Sequence, residues 1–495
     1  MAQRGAVAAG HPLTAEAGAA VLREGGNAVD AAVAAVAASC VTESPLTGLG
    51  AGGYMLVHSG DETTVLDFFV AVPGADGLER RSDLVPIPVH FTEESAQVFN
   101  VGAASCGVPG TPAGLERALE LFGTVPLAEL VAPAARLARE GVEVNAEQAY
   151  FIAILAPILT HYAEAAEIYA PEGKLLGEGD RFRFAALGDA LELLGAEGSE
   201  SFYRGEAARR ISEWVVERGG TLGVGDLAAY ATIEREPVAA TIRDREVRTN
   251  PPPSSGGILI AFALELLNRR GGKPDTVDLV EVMEAAQAQR THEFLAGLVD
   301  QGFAASFLAA DRLGSTTHIT ALDGDGMCAS VTCSNGTGSG LIVPGTGVHV
   351  NNMLGEQDLN PLGFHRHEVG RRMPSMMSPT VVLRDGELEA GLGSGGSNRI
   401  RSAILQTIVR MVCEGREVTE AVNAPRVHFE QGAVEAEPGV DRAALERLAA
   451  DGYEIVRWPD RNVFFGGVHA VARDPATGEL RGAGDPRRGG AVAVA

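Results

Sequence analysis

The stretch Thr316-Thr317-His318-Ile319-Thr320-Ala321-Leu322-Asp323-Gly324-Asp325-Gly326-Met327-Cys328-Ala329-Ser330-Val331-Thr332 reads as one β-hairpin. Two runs rich in β-branched residues flank a turn of alternating Asp and Gly, the composition a tight reversal needs. Period-two alternation puts Thr316, His318 and Thr320 on one face of the first strand. A turn at Asp325-Gly326, or one residue earlier, sets Thr316 opposite a residue between Cys333 and Asn335, so Ser334 comes near Thr316. Taken alone, the pattern is that of a Thr-rich strand with ordinary cross-strand contacts, and His318 is that of a satisfied core histidine.

Outward from this hairpin the chain keeps changing character. Downstream, residues 380–383 and 387–391 form a second hairpin around Arg384-Asp385-Gly386, and a helix covers 398–413. Upstream, residues 113–230 read as helical. The apolar spacing of 126–140 is helical, and Gly141 ends it. A strand is expected near 237–247. Pro251-Pro252-Pro253-Ser254-Ser255-Gly256-Gly257 is a rigid turn before another helix, and 276–298 reads as a long helix. At the start, a helix over 14–24 stops at Gly25-Gly26. A second opens at Asn27, with Asp30 placed as in a capping box. A glycine-rich loop, residues 48–53, then leads into a hairpin of 54–57 and 63–70. No fixed-period repeat and no Pro-, Gly- or Ser-rich linker divides the chain. Strands near both ends with helices between predict one α+β or layered α/β body.

The chain has 495 residues, 45% hydrophobic and 21% charged. That suffices for a large core and excludes a collagenous, mucin-like or disordered protein. Length alone allows about three domains of roughly 150 residues. The formal charge is −25, from 40 basic and 65 acidic residues, so the surface repels phosphate backbones and no nucleic-acid partner is expected. Lysine occurs only at Lys174 and Lys273, leaving no P-loop lysine and little scope for Schiff-base chemistry. Cys40, Cys106, Cys328, Cys333 and Cys413 form no CxxC and read as reduced core residues. No targeting segment is visible, and the Ala-rich run 31–40 is too short and too weakly apolar to span a bilayer. A cytoplasmic enzyme without a membrane partner is the expectation.

Two segments match the dinucleotide pattern: Gly48-x-Gly50-x-x-Gly53 and Gly391-x-Gly393-x-x-Gly396. The first runs into a strand, whereas a Rossmann turn must open a helix. Close backbone packing is the plainer reading there. The second does precede a helix, but no acidic residue closes a second parallel strand beyond it. Its exposed backbone N–H groups suit an anion or an oxyanion. His365-Arg366-His367 with Glu368 lacks a further ligand at metal spacing and reads as a surface loop. Neither a metal nor a cofactor is implied.

At these residues the sequence resembles the γ-glutamyltranspeptidase family of N-terminal-nucleophile hydrolases, over nearly the whole chain and in order. The likeness is carried by Gly25-Gly26-Asn27-Ala28-Val29-Asp30-Ala31-Ala32, by 48–55, and by Val108-Pro109-Gly110. It continues through Asp226-Leu227-Ala228-Ala229-Tyr230, Glu234-Arg235-Glu236-Pro237 and 251–257. Then come Thr316-Thr317-His318, Asn351-Asn352, Ser378-Pro379-Thr380 and 393–399. Asn423-Ala424-Pro425-Arg426 and Asp485-Pro486-Arg487 complete it. The resemblance implies a four-layer αββα sandwich and a precursor that cuts itself before a threonine. By position that threonine is Thr316, giving a large chain 1–315 and a small chain 316–495, both parts of one body and joined as a heterodimer. Cleavage frees an α-amine with an unperturbed pKa near ~8, able to act as base for the hydroxyl of its own residue. The hydroxyl attacks an amide and forms an acyl-enzyme that water or an amine resolves. Gly395 and Gly396 are the implied oxyanion donors. The family's Gly-Ser-Pro-Gly-Gly reads here Gly-Ser-Gly-Gly-Ser, so Ser397 supplies one donor if the pair is offset by one. Ser334 stands where the family has a second threonine beside the nucleophile.

The departures concern the substrate. The family's Asp-Phe-Arg-Glu, whose Arg clamps the substrate α-carboxylate, reads Asp67-Phe68-Phe69-Val70, so Phe69 takes the Arg position. The serine pair reads Ser375-Met376. The Gln near the α-amino group becomes Met353, Glu356 replaces the nearby acid, and Asn335 stands for the Asn of that pocket. Losing a bidentate Arg–carboxylate contact leaves a γ-glutamyl carboxylate unpaired. Phe69, Met353 and Met376 make the pocket less polar than a glutathione site. The expected function is γ-glutamyl hydrolysis or transfer, or acylase action on a different amide. The other readings are a non-catalytic scaffold that keeps the fold, and a nucleotide-dependent oxidoreductase.

Overall fold

The computed structural model describes residues 3–90, 96–289, 316–360 and 363–495. The hairpin quoted first forms strands Thr317–Asp323 and Cys328–Ser334, paired antiparallel with Thr317 opposite Cys333. It is the centre of a seven-stranded sheet. The strand order is Ala491–Val494, Gly5–Ala9, Thr317–Asp323, Cys328–Ser334, Gly52–Ser59, Glu62–Phe68 and Ile233–Arg235. A six-stranded sheet runs Leu480–Ala483, Gly467–Arg473, Glu387–Gly395, Thr380–Arg384, Arg245–Thr249 and Val238–Ile242. Each sheet mixes strands from before and after Thr316.

The two sheets face each other, with Thr317–Asp323 packed on Glu387–Gly395 and Gly467–Arg473. Period-two alternation explains how one strand serves two cores. Ala6, Ala8, Tyr54, Leu56 and Leu322 point between the sheets, while Val7, Ala9, Met55, Val57, Ile319 and Ala321 point to helices on the other side. Those helices are Pro12–Glu24 and Ala28–Thr42. The second is buried at every residue, and its alanines allow the close approach. It starts on the Asn27–Asp30 capping box and follows the left-handed Gly25 (φ 100°), as the sequence predicts. On the outer face of the six-stranded sheet lie Ser255–Arg270 and Arg399–Val412. The helical middle of the chain, from Thr111 to Ala228, builds a separate apolar cluster beside the sheets. The fold is therefore of the mixed α/β class.

Two expectations change. The single strand expected near 237–247 is a hairpin, Val238–Ile242 and Arg245–Thr249, reversing at Arg243 and Asp244. Arg243 takes φ 59°, a conformation that its residue type does not announce. The long helix expected over 276–298 is described as Thr276–Ala288, and its expected remainder from 290 lies outside the described residues. Among the described residues no helix is long and apolar enough to cross a membrane.

Candidate active site

Both β-strands of the central hairpin, and the loops before and after the strands facing it, deliver their ends to one place. Thr316 stands immediately before Thr317–Asp323, and the register carries it opposite Ser334, the last residue of its partner strand. Phe69, Thr316, Ser334, Met353, Leu359, Ser375, Met376 and Met377 line one small pocket there. The pocket thus gathers most of the residues singled out from the sequence, and no charged side chain lines it.

Each wall is fixed by its own backbone contacts. Phe69 follows the strand Glu62–Phe68; its N–H donates to Asp67 Oδ1 at 2.9 Å, and its carbonyl accepts from the Tyr230 hydroxyl at 2.8 Å. Asp67, wholly buried, accepts from Arg235 Nε (2.8 Å) and Arg372 Nε (3.2 Å). Arg372 also stacks over Tyr230. The arginines near Phe69 are therefore engaged with Asp67. Met353 sits on a short turn whose N–H donates to Asn351 Oδ1 at 3.2 Å. Ser375 Oγ accepts from Met377 N–H at 3.1 Å, and the Ser375 carbonyl accepts from Ser255 N–H at 2.8 Å. Ser334 Oγ accepts from Gly336 N–H at 2.8 Å.

Asn335 and Glu356 lie one step beyond Ser334, outside the lining of this pocket. Both are buried and meet around Gly336, where a Cβ would fall 2.8 Å from Glu356 Oε1. The Asn335 side-chain amide and Glu356 Oε2 have no hydrogen-bond partner among the described residues. Burial pushes the Glu356 carboxyl up to about 7, against the bonds from Asn352 and Thr337. Unused hydrogen-bonding capacity of this kind is available to a polar ligand group.

Gly395 ends the strand Glu387–Gly395 directly against Thr316: a Cβ on it would fall 2.0 Å from the Thr316 carbonyl oxygen. Gly396 (φ 122°) and Ser397 (φ 70°) then turn the chain into the helix Arg399–Val412. His318 is wholly buried between Thr332 Oγ1 (2.8 Å) and Thr320 Oγ1 (2.9 Å), and burial holds it well below its usual pKa, hence neutral. In the Gly48 to Gly53 segment the close backbone approach falls at Gly50 and Gly53, where a Cβ would sit 2.1 Å from His349 O and 2.3 Å from Thr332 O, whereas a Cβ on Gly48 would meet nothing within 4 Å. His367 Nε2 lies 2.9 Å from the Leu359 carbonyl. Among the described residues no group of three or more His, Cys, Asp or Glu is arranged to hold a metal ion.

Two charged residues that the sequence reading passed over also reach this place. Glu43 accepts from the Thr317 hydroxyl, and Arg488 Nη1 donates to the Thr316 carbonyl at 3.0 Å. Glu43 carries a signal in hindsight, being the one Asp, Glu, Lys or Arg between Asp30 and Asp61. Arg488 carries none, since it follows Arg487 in an ordinary basic pair.

The family model described as gamma-glutamyltranspeptidase matches residues 14–306 and 297–495. The glutathione hydrolase proenzyme of Escherichia coli (strain K12) is 32% identical over 538 residues, covering 98% of this chain and 91% of that protein. The acylase ACY 1 proenzyme of Pseudomonas sp. (strain SE83) is 33% identical over 517 residues, covering 97% and 91%. Among solved structures, a cephalosporin acylase from Bacillus halodurans superposes with a TM-score of 0.84 at 27% identity, covering 99% of this chain and 96% of that one.

Proposed function

Because the chain belongs to the γ-glutamyltranspeptidase family and is an amide-cleaving enzyme of that type, we propose that it works as an acylase-type amidohydrolase through Thr316. The precursor breaks the peptide bond before Thr316, leaving chains 1–315 and 316–495 as an interlocked heterodimer in an αββα sandwich. Strands from both sides of the cut within each sheet support that arrangement. The freed α-amine takes the proton of the Thr316 hydroxyl as its oxygen attacks the amide carbonyl. Backbone N–H groups at Gly395 and Gly396 hold the oxyanion. Collapse returns the proton to the departing amine and leaves an acyl ester on Thr316. Water, or a second amine, attacks that ester and restores the hydroxyl. Ser334 supports the hydroxyl and amine from the neighbouring strand.

The observation that carries the choice of substrate is the uncharged, Phe- and Met-lined wall beside Thr316. Among the described residues no cation lines the pocket beside Phe69, so an acyl group without an α-carboxylate binds better. The buried Asn335 amide and Glu356 Oε2, without partners among the described residues, favour a second reading, in which a γ-glutamyl amino group docks beyond Ser334.

A gel and a substrate pair test this. Purified protein should run as two fragments, the smaller beginning with Thr316 by N-terminal sequencing, and Thr316→Ala should stay whole and inactive. Butyryl-p-nitroanilide should be cleaved with a higher kcat/KM than γ-glutamyl-p-nitroanilide. An active unbroken chain sinks the mechanism, and the reverse substrate preference sinks the acylase reading.

A further inference from the structure

The strand ladder begins at Thr317, so the Thr316 carbonyl lies outside it. Once the bond before Thr316 is broken, that residue is a chain end, and chain ends fray unless something ties them down. The structure supplies two ties, both from elements distant in sequence. Glu43 caps the end of the helix Ala28–Thr42 and accepts hydrogen bonds from Thr317 Oγ1 and from Thr14 Oγ1 (3.3 Å). Arg488, near the C-terminus, donates to the Thr316 carbonyl. Its guanidinium lies along Gly395 and Gly396: Cβ atoms there would fall 3.1 Å from Nη1 and 3.4 Å from Nη2. The guanidinium also lies over the Phe151 ring, 5.4 Å from its centroid. Glu43 and Arg488 line one pocket together with Gly10, Gln148 and Phe151.

We propose that Glu43 and Arg488 are positioning residues for the Thr316 reaction, clamping the Thr316–Thr317 peptide unit so that the freed amine and the hydroxyl stay aligned. This rests on the reading of Thr316 as the freed attacking terminus. The clamp also balances charge at that terminus. A cation at the carbonyl of the amine-bearing residue disfavours the ammonium form. Burial pushes the Glu43 carboxyl up to about 7, against the bonds from Thr317 and Thr14, so Glu43 favours the ammonium form only as it ionises around that pH. The buried thiols and the histidine around this place are silent. Burial pushes the Cys40 and Cys333 thiols up, so they stay protonated, and it holds His318 neutral. Thr14 and Thr42 offer hydroxyls only. Arg399, Asp485 and Glu43 act on Arg488, burial holds the nearby His469 down to about 4 and hence neutral, and Glu147 packs against Gly489.

The test uses the full chain and four variants, Arg488→Met, Arg488→Lys, Glu43→Gln and Glu43→Asp, with wild type and Thr316→Ala as controls. The readouts are the cut fraction, kcat and KM for butyryl-p-nitroanilide, and the acid limb of kcat/KM against pH. Arg488→Met should lower kcat by about 100-fold, the scale of a 1 Å misplacement, with KM within about threefold of wild type. Its acid limb should move to higher pH by about 0.5–1 unit, following the sign of the charge removed, while that of Glu43→Gln moves lower by less, because the Glu43 carboxyl is only partly ionised near pH 7. Arg488→Lys and Glu43→Asp keep the charge and should recover the limb. Wild-type kcat and limb in the variants overturn the clamp, as does a loss that follows melting temperature with the limb unmoved. A wild type that stays whole, or an active Thr316→Ala, overturns the underlying reading instead.

Discussion

The rings of Phe69 and Tyr54 stack with centroids 5.6 Å apart and planes 22° apart, both buried. The wall beside Thr316 is therefore an aromatic pair anchored in the central sheet, and the backbone of Phe69 is held by Asp67 and Tyr230. Such a wall cannot swing aside to admit a counter-ion for a substrate carboxylate.

Phe69→Arg should reverse the substrate preference. A guanidinium at this position can pair with an α-carboxylate, and one bidentate pair is enough for about a tenfold change or more. The ratio of kcat/KM for γ-glutamyl-p-nitroanilide over butyryl-p-nitroanilide should rise by that factor, with thermal melting recorded to confirm folding. A folded variant with an unchanged ratio would show that the acyl group sits elsewhere.

Gly395→Ala probes the contact between the two sheets at Thr316. The added methyl would fall 2.0 Å from the Thr316 carbonyl, which is backbone and has nowhere to go. The carbonyl, and with it the attacking residue, must shift. Activity should fall by about 100-fold or more, since misplacement by 1 Å costs that much. A variant that folds, is cut and keeps wild-type kcat would mean that Gly395 is not at the reaction centre.

Much of this was readable in the chain because local rules carried it. The Asn27–Asp30 box, the turn 323–326 and the alternation of 317–323 each dictate a short-range geometry, and turn length narrows the partner of Thr316 to residues 333–335, among which the structure's register selects Ser334. What escaped was set by tertiary contact. The Arg243–Asp244 reversal lacks glycine, and nothing local marks it. Glu43 and Arg488 matter through partners 274 and 172 residues away, which no spacing rule reaches. The placement of Met353 and Met376 beside Phe69 also depends on the approach of the second sheet, and it was legible only through the family resemblance, not from local pattern.

Ser334→Ala and Ser334→Thr separate a hydroxyl from a shape. If the hydroxyl supports the charged or developing charge at Thr316, its loss removes a bond of roughly 1.5–3 kcal/mol, or about 10- to 100-fold in kcat. Threonine retains that oxygen and should keep kcat within about threefold of wild type. Measuring both on cut protein, with the cut fraction scored separately, tells a catalytic loss from a processing loss. Equal activity in the two variants would remove Ser334 from the mechanism.

Asp485 links the site to acid stability. It is wholly buried and accepts from Arg426 Nη2 (2.6 Å), Val468 N–H (2.8 Å), Arg487 N–H (3.0 Å) and Arg487 Nη1 (3.1 Å). Burial alone would raise its pKa, but Arg426 and Arg487 outweigh burial and hold it at about 2. A carboxylate depressed in this way stabilises the fold above its unfolded value of about 3.9, and the contribution is lost as pH falls from about 4 towards the folded value. Asp485→Asn cannot lose it. At pH ~7 the variant should be less stable by about 3–5 kcal/mol, because Arg426 is left buried without its counter-charge. As pH falls towards ~2, wild type should weaken and the gap between the two urea midpoints should shrink. Because Asp485 opens the turn that presents Arg488 to Thr316, the variant should also lose kcat at neutral pH, where it still folds. A stability gap that stays constant down to pH ~2.5 would mean that the arginines do not hold Asp485 ionised.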